Sequence, residues 1–436
     1  MRPAGAFCAF PLARVVPEHA CRPQPARLAV AGAVAARNNC RHTRLLTPEG
    51  GPSAARRTSD GTGSGLRSHR YIGVDLLRFA AASLVMLFHL GLWSWVAPNG
   101  TAATVLRGAT AFPELQGVAA PGWAGVQIFF VISGFVIAFS AEGAAPGAFL
   151  ARRFLRLFPG ALICAAISAA VILGEGIAPL PATAHRFFNS MTLSLFGPWI
   201  DGVYWTLGVE IAFYGLVLLL LVLRRERQLP SVIAVIGLVS SAVVALRTLA
   251  PHSPLGALLP PAWSRDGQLF LLDHGMFFCL GVMLWVASRR GWSFARAAVA
   301  AVCVAGGIVQ IGEATGGGNP LAPIAIWLAA MALLVAAILW DEALTRLAGR
   351  WAPAAALVGL ATYPLYLLHT IVGAAVLRSL VLAGVPRFAA LALSMAAAVA
   401  LALLVTRFPE RWLRRALSGA AARLPAFARR APATPS

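Results

Sequence analysis

An arginine and a histidine stand eleven residues apart in one long apolar stretch of the sequence. Residues 71–92 are numerous enough to cross a bilayer, yet they include Asp75, Arg78 and His89. A charged side chain in such a stretch is costly and is usually retained for function or for a buried pair. At about 100° per residue, Arg78 and His89 fall within roughly 20° of one helix face, separated by roughly 16 Å along the axis. The spacing predicts a guanidinium and an imidazole directed to the same side of one helix.

These residue types indicate acid–base chemistry next to an anion. Histidine titrates near neutral pH, so His89 can act in acid–base chemistry. The guanidinium of Arg78 suits a phosphate group. Asp75 lies three residues before Arg78, and we expect the two to pair as well.

Other apolar stretches carry further ionisable residues, namely Glu210, Asp273-His274 and His369. A carboxylate or imidazole at membrane depth requires a reason, and a shared polar cavity is one. Asp273 and His274 are neighbours and can instead neutralise one another.

A basic segment at residues 151–159 is the second polar feature. Arg153 and Arg156 are three residues apart and share a helix face. Planar guanidiniums in pairs suit phosphate recognition. From the spacing alone, anchoring to lipid headgroups is the simpler interpretation.

The composition excludes an ordinary soluble domain. Of 436 residues, 59% are hydrophobic and only 12% are charged, which is typical of an all-α polytopic membrane protein. The net charge of +20 does not indicate nucleic-acid binding, because the arginines lie between apolar stretches, where they set orientation. The sequence contains no lysine, which excludes Schiff-base chemistry.

The apolar stretches divide the chain into three parts. Residues 1–70 form a basic extension that we expect to be disordered, 71–415 the membrane domain, and 416–436 a basic tail. Arginines alternate between the loops in a way that predicts cytoplasmic amino and carboxyl termini. About ten spans are predicted, near residues 73–96, 122–141, 158–174, 203–223, 230–250, 268–288, 294–312, 321–340, 354–377 and 386–407.

Five short motifs occur in order on these spans and resemble those of the acyltransferase 3 family, integral membrane enzymes that O-acylate sugars and other acceptors. The sequence departs from the family where Pro159 is followed by Gly160-Ala161, and where Glu410-Arg411-Trp412 replaces the closing Glu-Arg-Pro. The matching residues are Arg78 and His89; Phe129, Phe130, Ser133, Gly134 and Phe135; Arg153, Arg156 and Pro159; Trp205, Leu207, Glu210, Phe213 and Tyr214; Tyr363, Leu365, Tyr366, Leu367 and His369.

The resemblance implies an enzyme of the cytoplasmic membrane that transfers an acyl group, most often acetyl, from acyl-CoA to a hydroxyl of a cell-surface glycan or glycolipid. Acyl-CoA is then a co-substrate, with no bound cofactor, metal or nucleic acid. The expected catalytic residues are His89 and Glu210. His89 would act as the general base, the role that we favour, or as a nucleophile that carries the acyl group. Glu210 could orient that imidazole or bind the hydroxyls of a sugar. The expected donor-binding residues are Arg78, Arg153, Arg156 and Ser133. The expected acceptor-binding or supporting residues are Asp75, Trp205, Tyr366 and His369.

For several of these residues a purely structural role is an alternative to a functional one. The Ser133-Gly134 pair allows close helix approach, and we expect packing to be its main role. Trp205 and Tyr366 can belong to an interfacial aromatic belt instead of a sugar site. The alternative function is a transporter of a small solute or glycan precursor. Transporters typically have two related halves, and no second copy of the Arg78/His89 pattern is found.

Overall fold

A computed structural model describes residues 71–423, and within this range the chain is helical without any strand. The predicted extension at residues 1–70 and the end of the predicted tail at 424–436 lie outside the described residues. The first helices are α1 (Ile72–Phe88), α2 (Ser94–Val96), α3 (Thr101–Leu106), α4 (Gln116–Ala119), α5 (Gly125–Ala141), α6 (Pro146–Gly174), α7 (Leu180–Met191), α8 (Trp205–Val222) and α9 (Leu229–Leu249). The remaining helices are α10 (Arg265–Leu269), α11 (Gly275–Arg290), α12 (Phe294–Ala314), α13 (Leu321–Leu339), α14 (Asp341–Ala348), α15 (Ala352–Leu368), α16 (Ile371–Leu382), α17 (Arg387–Arg407) and α18 (Pro409–Arg423).

The all-α polytopic architecture is confirmed, with nine instead of ten long spans. Among residues 71–423, nine helical stretches are long and apolar enough to cross a membrane. The predicted span at 268–288 is the exception, because α11 begins only at Gly275 and has 16 residues. The chain before it turns at residues 270–274, where Leu271 takes a φ of 60°. The Asp273-His274 pair therefore lies in the turn just before a short helix.

The predicted span at 354–377 is also interrupted. The structure divides it into α15 and α16, with the break at His369 and Thr370. The Nδ1 atom of His369 lies 3.2 Å from the carbonyl oxygen of Leu365 and 2.9 Å from that of Tyr366. The imidazole thus satisfies carbonyls at the end of α15. Polar backbone inside a membrane helix is tolerated where protein groups satisfy it.

Small residues set the spacing of the central helices. Gly134 of α5 faces α11, and Gly281 of α11 faces α5. A Cβ at Gly134 would overlap the carbonyl oxygen of Phe278, and a Cβ at Gly281 would overlap that of Val131. Close helix approach through glycine is the usual way to gain contact in lipid, where apolar surfaces alone give no preference for association. The prediction that Ser133-Gly134 serves packing is confirmed for the glycine.

Helix α1 packs along α15 and α5. A Cβ at Gly359 of α15 would overlap the side chain of Asp75, so this glycine lets the two helices meet at the carboxylate. At the other end of the chain, α17 ends at Arg407 and α18 begins with Pro409, a residue whose fixed φ suits the first turn of a helix. Helix α18 packs against α6.

Candidate active site

Two histidines from different helices meet in the interior. The Nε2 atom of His369 lies 3.1 Å from the Nδ1 atom of His89, and their ring centres are 5.0 Å apart. His369 is 1% exposed, whereas His89 is partly exposed. The structure thus joins two residues that are 280 positions apart in the sequence. We call them the histidine pair.

The hydrogen bonds of the pair assign the protons of both rings. The two neighbours of His369 Nδ1 are carbonyl oxygens, which only accept, so Nδ1 carries the proton and Nε2 carries a lone pair. His89 Nδ1 faces that lone pair and also lies 3.0 Å from the carbonyl oxygen of Val85, so it is the donor to both. With both rings neutral, His89 Nε2 is left with a lone pair. This atom can accept a proton or attack a carbonyl carbon.

The backbone around His89 has an unusual helical form. Residues His89–Trp93 form a turn of π-helix between α1 and α2, a form that often occurs at functional sites. Side chains bond to carbonyls four residues earlier: Ser94 Oγ donates to Leu90 at 2.7 Å, and Trp95 Nε1 to Gly91 at 3.0 Å. These bonds stabilise the wider turn, and they hold the segment that carries His89.

A carboxylate forms the second part of the site. Glu210 Oε1 accepts hydrogen bonds from Ser133 Oγ at 3.0 Å and from Tyr214 Oη at 2.6 Å. Glu210 was predicted either to orient His89 or to bind a sugar. In this structure the residue that contacts and orients His89 is His369. Ser133, predicted to bind the donor, is directed at Glu210.

Three arginines lie in the region of this carboxylate. Arg78 pairs with Asp75 at 3.8 Å, as the sequence predicts, and it lies within electrostatic range of Arg156 and Glu210. The side chain of Arg78 remains 22% exposed, so it is accessible from outside the helix contacts. We call Arg78, Arg153 and Arg156 around Glu210 the arginine site.

The other two guanidiniums of the arginine site lie over aromatic rings. Arg153 lies 5.5 Å from the ring centres of Phe149 and Tyr214, and Arg156 lies 5.5 Å from that of Tyr363. Arg153 Nε and Arg156 Nη1 are buried, and neither has a hydrogen-bond partner among the described residues. Buried polar groups are normally bonded, so these two donors are available to the acceptor oxygens of a ligand or of water.

Helix α5 connects the two parts of the site. The ring of Phe129 lies 5.7 Å from that of Tyr366, next to His369, while Ser133 one turn later contacts Glu210. The predicted site residues thus lie on three neighbouring helices: Arg78 on α1 with His89 directly after it, Ser133 on α5 and Glu210 on α8. Tyr366 Oη accepts a hydrogen bond from Thr206 at 3.2 Å, which fixes its ring beside His369.

Trp205 and the Asp273-His274 pair belong to a separate region. The ring of Trp205 lies 5.6 Å from that of His274 and 6.2 Å from that of Trp263. Asp273 pairs with Arg247 at 2.8 Å, so of the interpretations open from the sequence, neutralisation by His274 is not the one that the structure shows. Trp205 is not brought to the histidine pair by these contacts.

Sequence reasoning missed two contributors to the site. Tyr214 is part of a quoted motif, but only the structure shows its bond to Glu210. Asp201 is 1% exposed, caps the turn before α8 by accepting from the backbone of Val203, and lies near the hydroxyl of Thr370, next to His369. Burial raises the pKa of the Asp201 carboxyl to about 6. An aspartate just ahead of an apolar helix is a capping signal that could have drawn attention to it.

No group of three histidine, cysteine, aspartate or glutamate side chains within residues 71–423 is arranged to hold a metal ion.

Comparison with known proteins agrees with this arrangement. Nodulation protein 10 of Rhizobium leguminosarum bv. viciae is 31% identical over 194 residues, which cover 39% of this chain and 50% of the relative. The match thus spans about half the length of that protein. No solved structure matches the chain. An acyltransferase domain matches residues 71–407, which include the histidine pair and the arginine site. The chain therefore belongs to the acyltransferase 3 family.

Proposed function

We propose that this protein is an O-acyltransferase that moves an acyl group, most often acetyl, from acyl-CoA to a hydroxyl of a cell-surface glycan or glycolipid. One observation carries the proposal: His369 holds His89 in the tautomer whose Nε2 is free to accept a proton. The family favours an acyltransferase over the transporter alternative.

The transfer step follows from that tautomer. His89 Nε2 takes the proton of the acceptor hydroxyl while the oxygen of that hydroxyl attacks the thioester carbonyl carbon. The carbon–sulfur bond then breaks, and the imidazolium of His89 returns the proton to the departing thiolate of CoA. The products are the ester and CoA. His369 Nε2 accepts from His89 Nδ1 throughout, so the positive charge that forms on His89 is shared with a fixed acceptor.

The arginine site is proposed to hold the phosphates of the donor. It has three guanidiniums, one of them within electrostatic range of Glu210, and two of its buried nitrogens have no hydrogen-bond partner among residues 71–423. Arg78 and His89 are separated by roughly 16 Å along α1, a distance that the extended pantetheine arm of CoA suits. In this arrangement the thioester lies at the histidine pair while the pyrophosphate lies at the arginines.

The experiment measures CoA release and ester formation by the full-length protein purified in nanodiscs. Acetyl-CoA is the donor, and a set of neutral oligosaccharides and cell-envelope glycans serves as acceptors. His89→Ala is compared with His252→Ala, in which an exposed histidine is removed instead. We expect His89→Ala to lower the rate by about 10²–10⁴-fold, the usual contribution of a general base.

Two results would contradict the proposal. One is a His89→Ala protein with wild-type turnover. The other is absence of thioester consumption by wild type with every acceptor. A nucleophilic role for His89 predicts stoichiometric CoA release before any acceptor is added, whereas the general-base role predicts release only in its presence.

A further inference from the structure

A basic groove lies between α15, α17 and α18, apart from the residues assigned above. It has a volume of about 470 Å³. One wall is apolar and comes from α15, and the other carries three guanidiniums. The residues that define it here are Pro353, Leu357, Leu360, Arg407, Arg411 and Arg414.

The charge of the basic groove favours an anion. Its one carboxylate, Glu410, is 1% exposed and pairs with Arg414 one turn later. Arg407 and Arg411 are both exposed, so the groove keeps a positive excess. Arg414 Nε is buried without a hydrogen-bond partner among the described residues. Arg414, with its unused Nε donor, lies beside the exposed guanidiniums of Arg407 and Arg411, and such a group suits phosphate oxygens.

The groove adjoins the arginine site. Gly160 of α6 lies against the ring of Tyr363 and close to the carboxyl of Glu410, where a Cβ would crowd the ring. Arg156 of the arginine site lies over the ring of Tyr363, and its positive charge interacts electrostatically with the carboxylate of Glu410. Tyr363 and Glu410 thus separate the two positively charged regions by one layer of side chains.

We propose that the basic groove binds the 3′-phosphate and the adenine of the CoA donor. This inference rests on the proposed function, in which the pyrophosphate occupies the arginine site. In CoA the 3′-phosphate and the base lie beyond the pyrophosphate, on the side away from the thioester, as the groove lies beyond Arg156. The apolar wall of α15 suits the flat base, and the carboxylate of Glu410 can accept from its amino group.

The test compares acetyl-CoA with acetyl-dephospho-CoA, which lacks only the 3′-phosphate. The protein is full-length and in nanodiscs. We expect wild type to prefer acetyl-CoA in kcat/KM by about tenfold, the value of one charge-assisted hydrogen bond, and Arg411→Ala to lose that preference. Arg415→Ala, an exposed arginine of the same helix outside the groove, keeps it.

Equilibrium binding separates this inference from the proposed function. Wild type is expected to bind adenosine 3′,5′-bisphosphate more tightly than AMP, which lacks only the 3′-phosphate. Arg411→Ala is expected to bind the two nucleotides equally, whether or not acyl transfer is detected. Transfer with no preference between the two thioesters in wild type overturns the groove assignment alone.

A lipid headgroup offers the same phosphate chemistry, so a second arm varies the bilayer. Nanodiscs are made with and without phosphatidylglycerol. If Arg411→Ala changes retention of that lipid but leaves the preference between the thioesters unchanged, the groove is a headgroup site and the proposal is overturned.

Discussion

Two groups of charged side chains lie inside the described helices, and they are satisfied in different ways. In the first, which we call the triad, Arg247 of α9 lies between Glu313 of α12 and Asp273 ahead of α11. Its Nε and Nη2 are each 2.8 Å from the Glu313 carboxylate, and Nη2 is 2.8 Å from Asp273 Oδ1. Nη1 donates to the carbonyl oxygen of Pro260. Every nitrogen of this guanidinium has a partner.

The arginine site is the opposite case. Arg78 lies within electrostatic range of Glu210 and Arg156, and Arg153 lies over the ring of Tyr214, whose hydroxyl donates to Glu210. Arg153 Nε and Arg156 Nη1 have no hydrogen-bond partner among the described residues. A guanidinium that is bonded at every nitrogen can hold helix ends together, whereas guanidiniums with unused donors and a positive excess suit an anion. The difference indicates structure in the first group and ligand binding in the second.

The largest effect is expected from Arg247→Ala. It leaves two carboxylates facing each other, one of them almost fully buried, and should lower the free energy of unfolding by about 3–5 kcal/mol. Thermal unfolding of the purified protein measures it, with the exposed Arg346→Ala as the control. An unchanged unfolding temperature for Arg247→Ala would show that the triad does not hold these helix ends together.

The next effect is expected at His369, which we regard as a positioning residue. His369→Ala removes the acceptor of His89 Nδ1 and should lower kcat by about 10²-fold with little change in KM, because misorientation of a reacting group has that effect. Steady-state kinetics separate the two constants. In His369→Gln, the amide oxygen can accept the same proton, so part of kcat should return. Equal kcat values in the two variants would assign His369 to packing alone.

Sequence patterns predicted much of the helical membrane architecture, because long apolar stretches directly reflect membrane thickness. They also placed Arg78 and His89 on one face, since this needs only the period of one helix. The partner of His89 could not be predicted in this way. His369 was expected inside a continuous span, and its position at a break depends on bonds to carbonyls of α15 and on contact with another helix.

The same limit explains the other differences. The short start of α11 depends on the turn at Leu271, which hydropathy does not report. The sequence offered His274 as a possible partner of Asp273, but in the tertiary structure Asp273 pairs with Arg247. Spacing along one helix is readable from a sequence, whereas pairing between helices is not.

Arg156→Ala sharpens the contrast with Arg247→Ala, because it removes one charge from a positive excess. We expect KM for acyl-CoA to rise about tenfold, the value of one hydrogen bond to a charged group, with an unfolding temperature at or above that of wild type. Kinetics and thermal unfolding with and without CoA measure both. Arg152→Ala is the matched control, since this arginine is exposed on the same helix. A large loss of stability in Arg156→Ala would place the arginine site with the triad as a structural group.

The smallest effect is expected from Tyr214→Phe, which removes one hydrogen bond to Glu210 and keeps the ring under Arg153. We expect a loss of about 1 kcal/mol, or about fivefold in kcat/KM, because Glu210 is then less firmly held among the guanidiniums. Tyr363→Phe is the comparison: its hydroxyl donates to the carbonyl oxygen of Leu157, so its loss should affect stability but not kcat/KM. If both variants change kcat/KM equally, the bond from Tyr214 to Glu210 matters only as a helix contact. The open character of the arginine site would then rest on its guanidiniums alone.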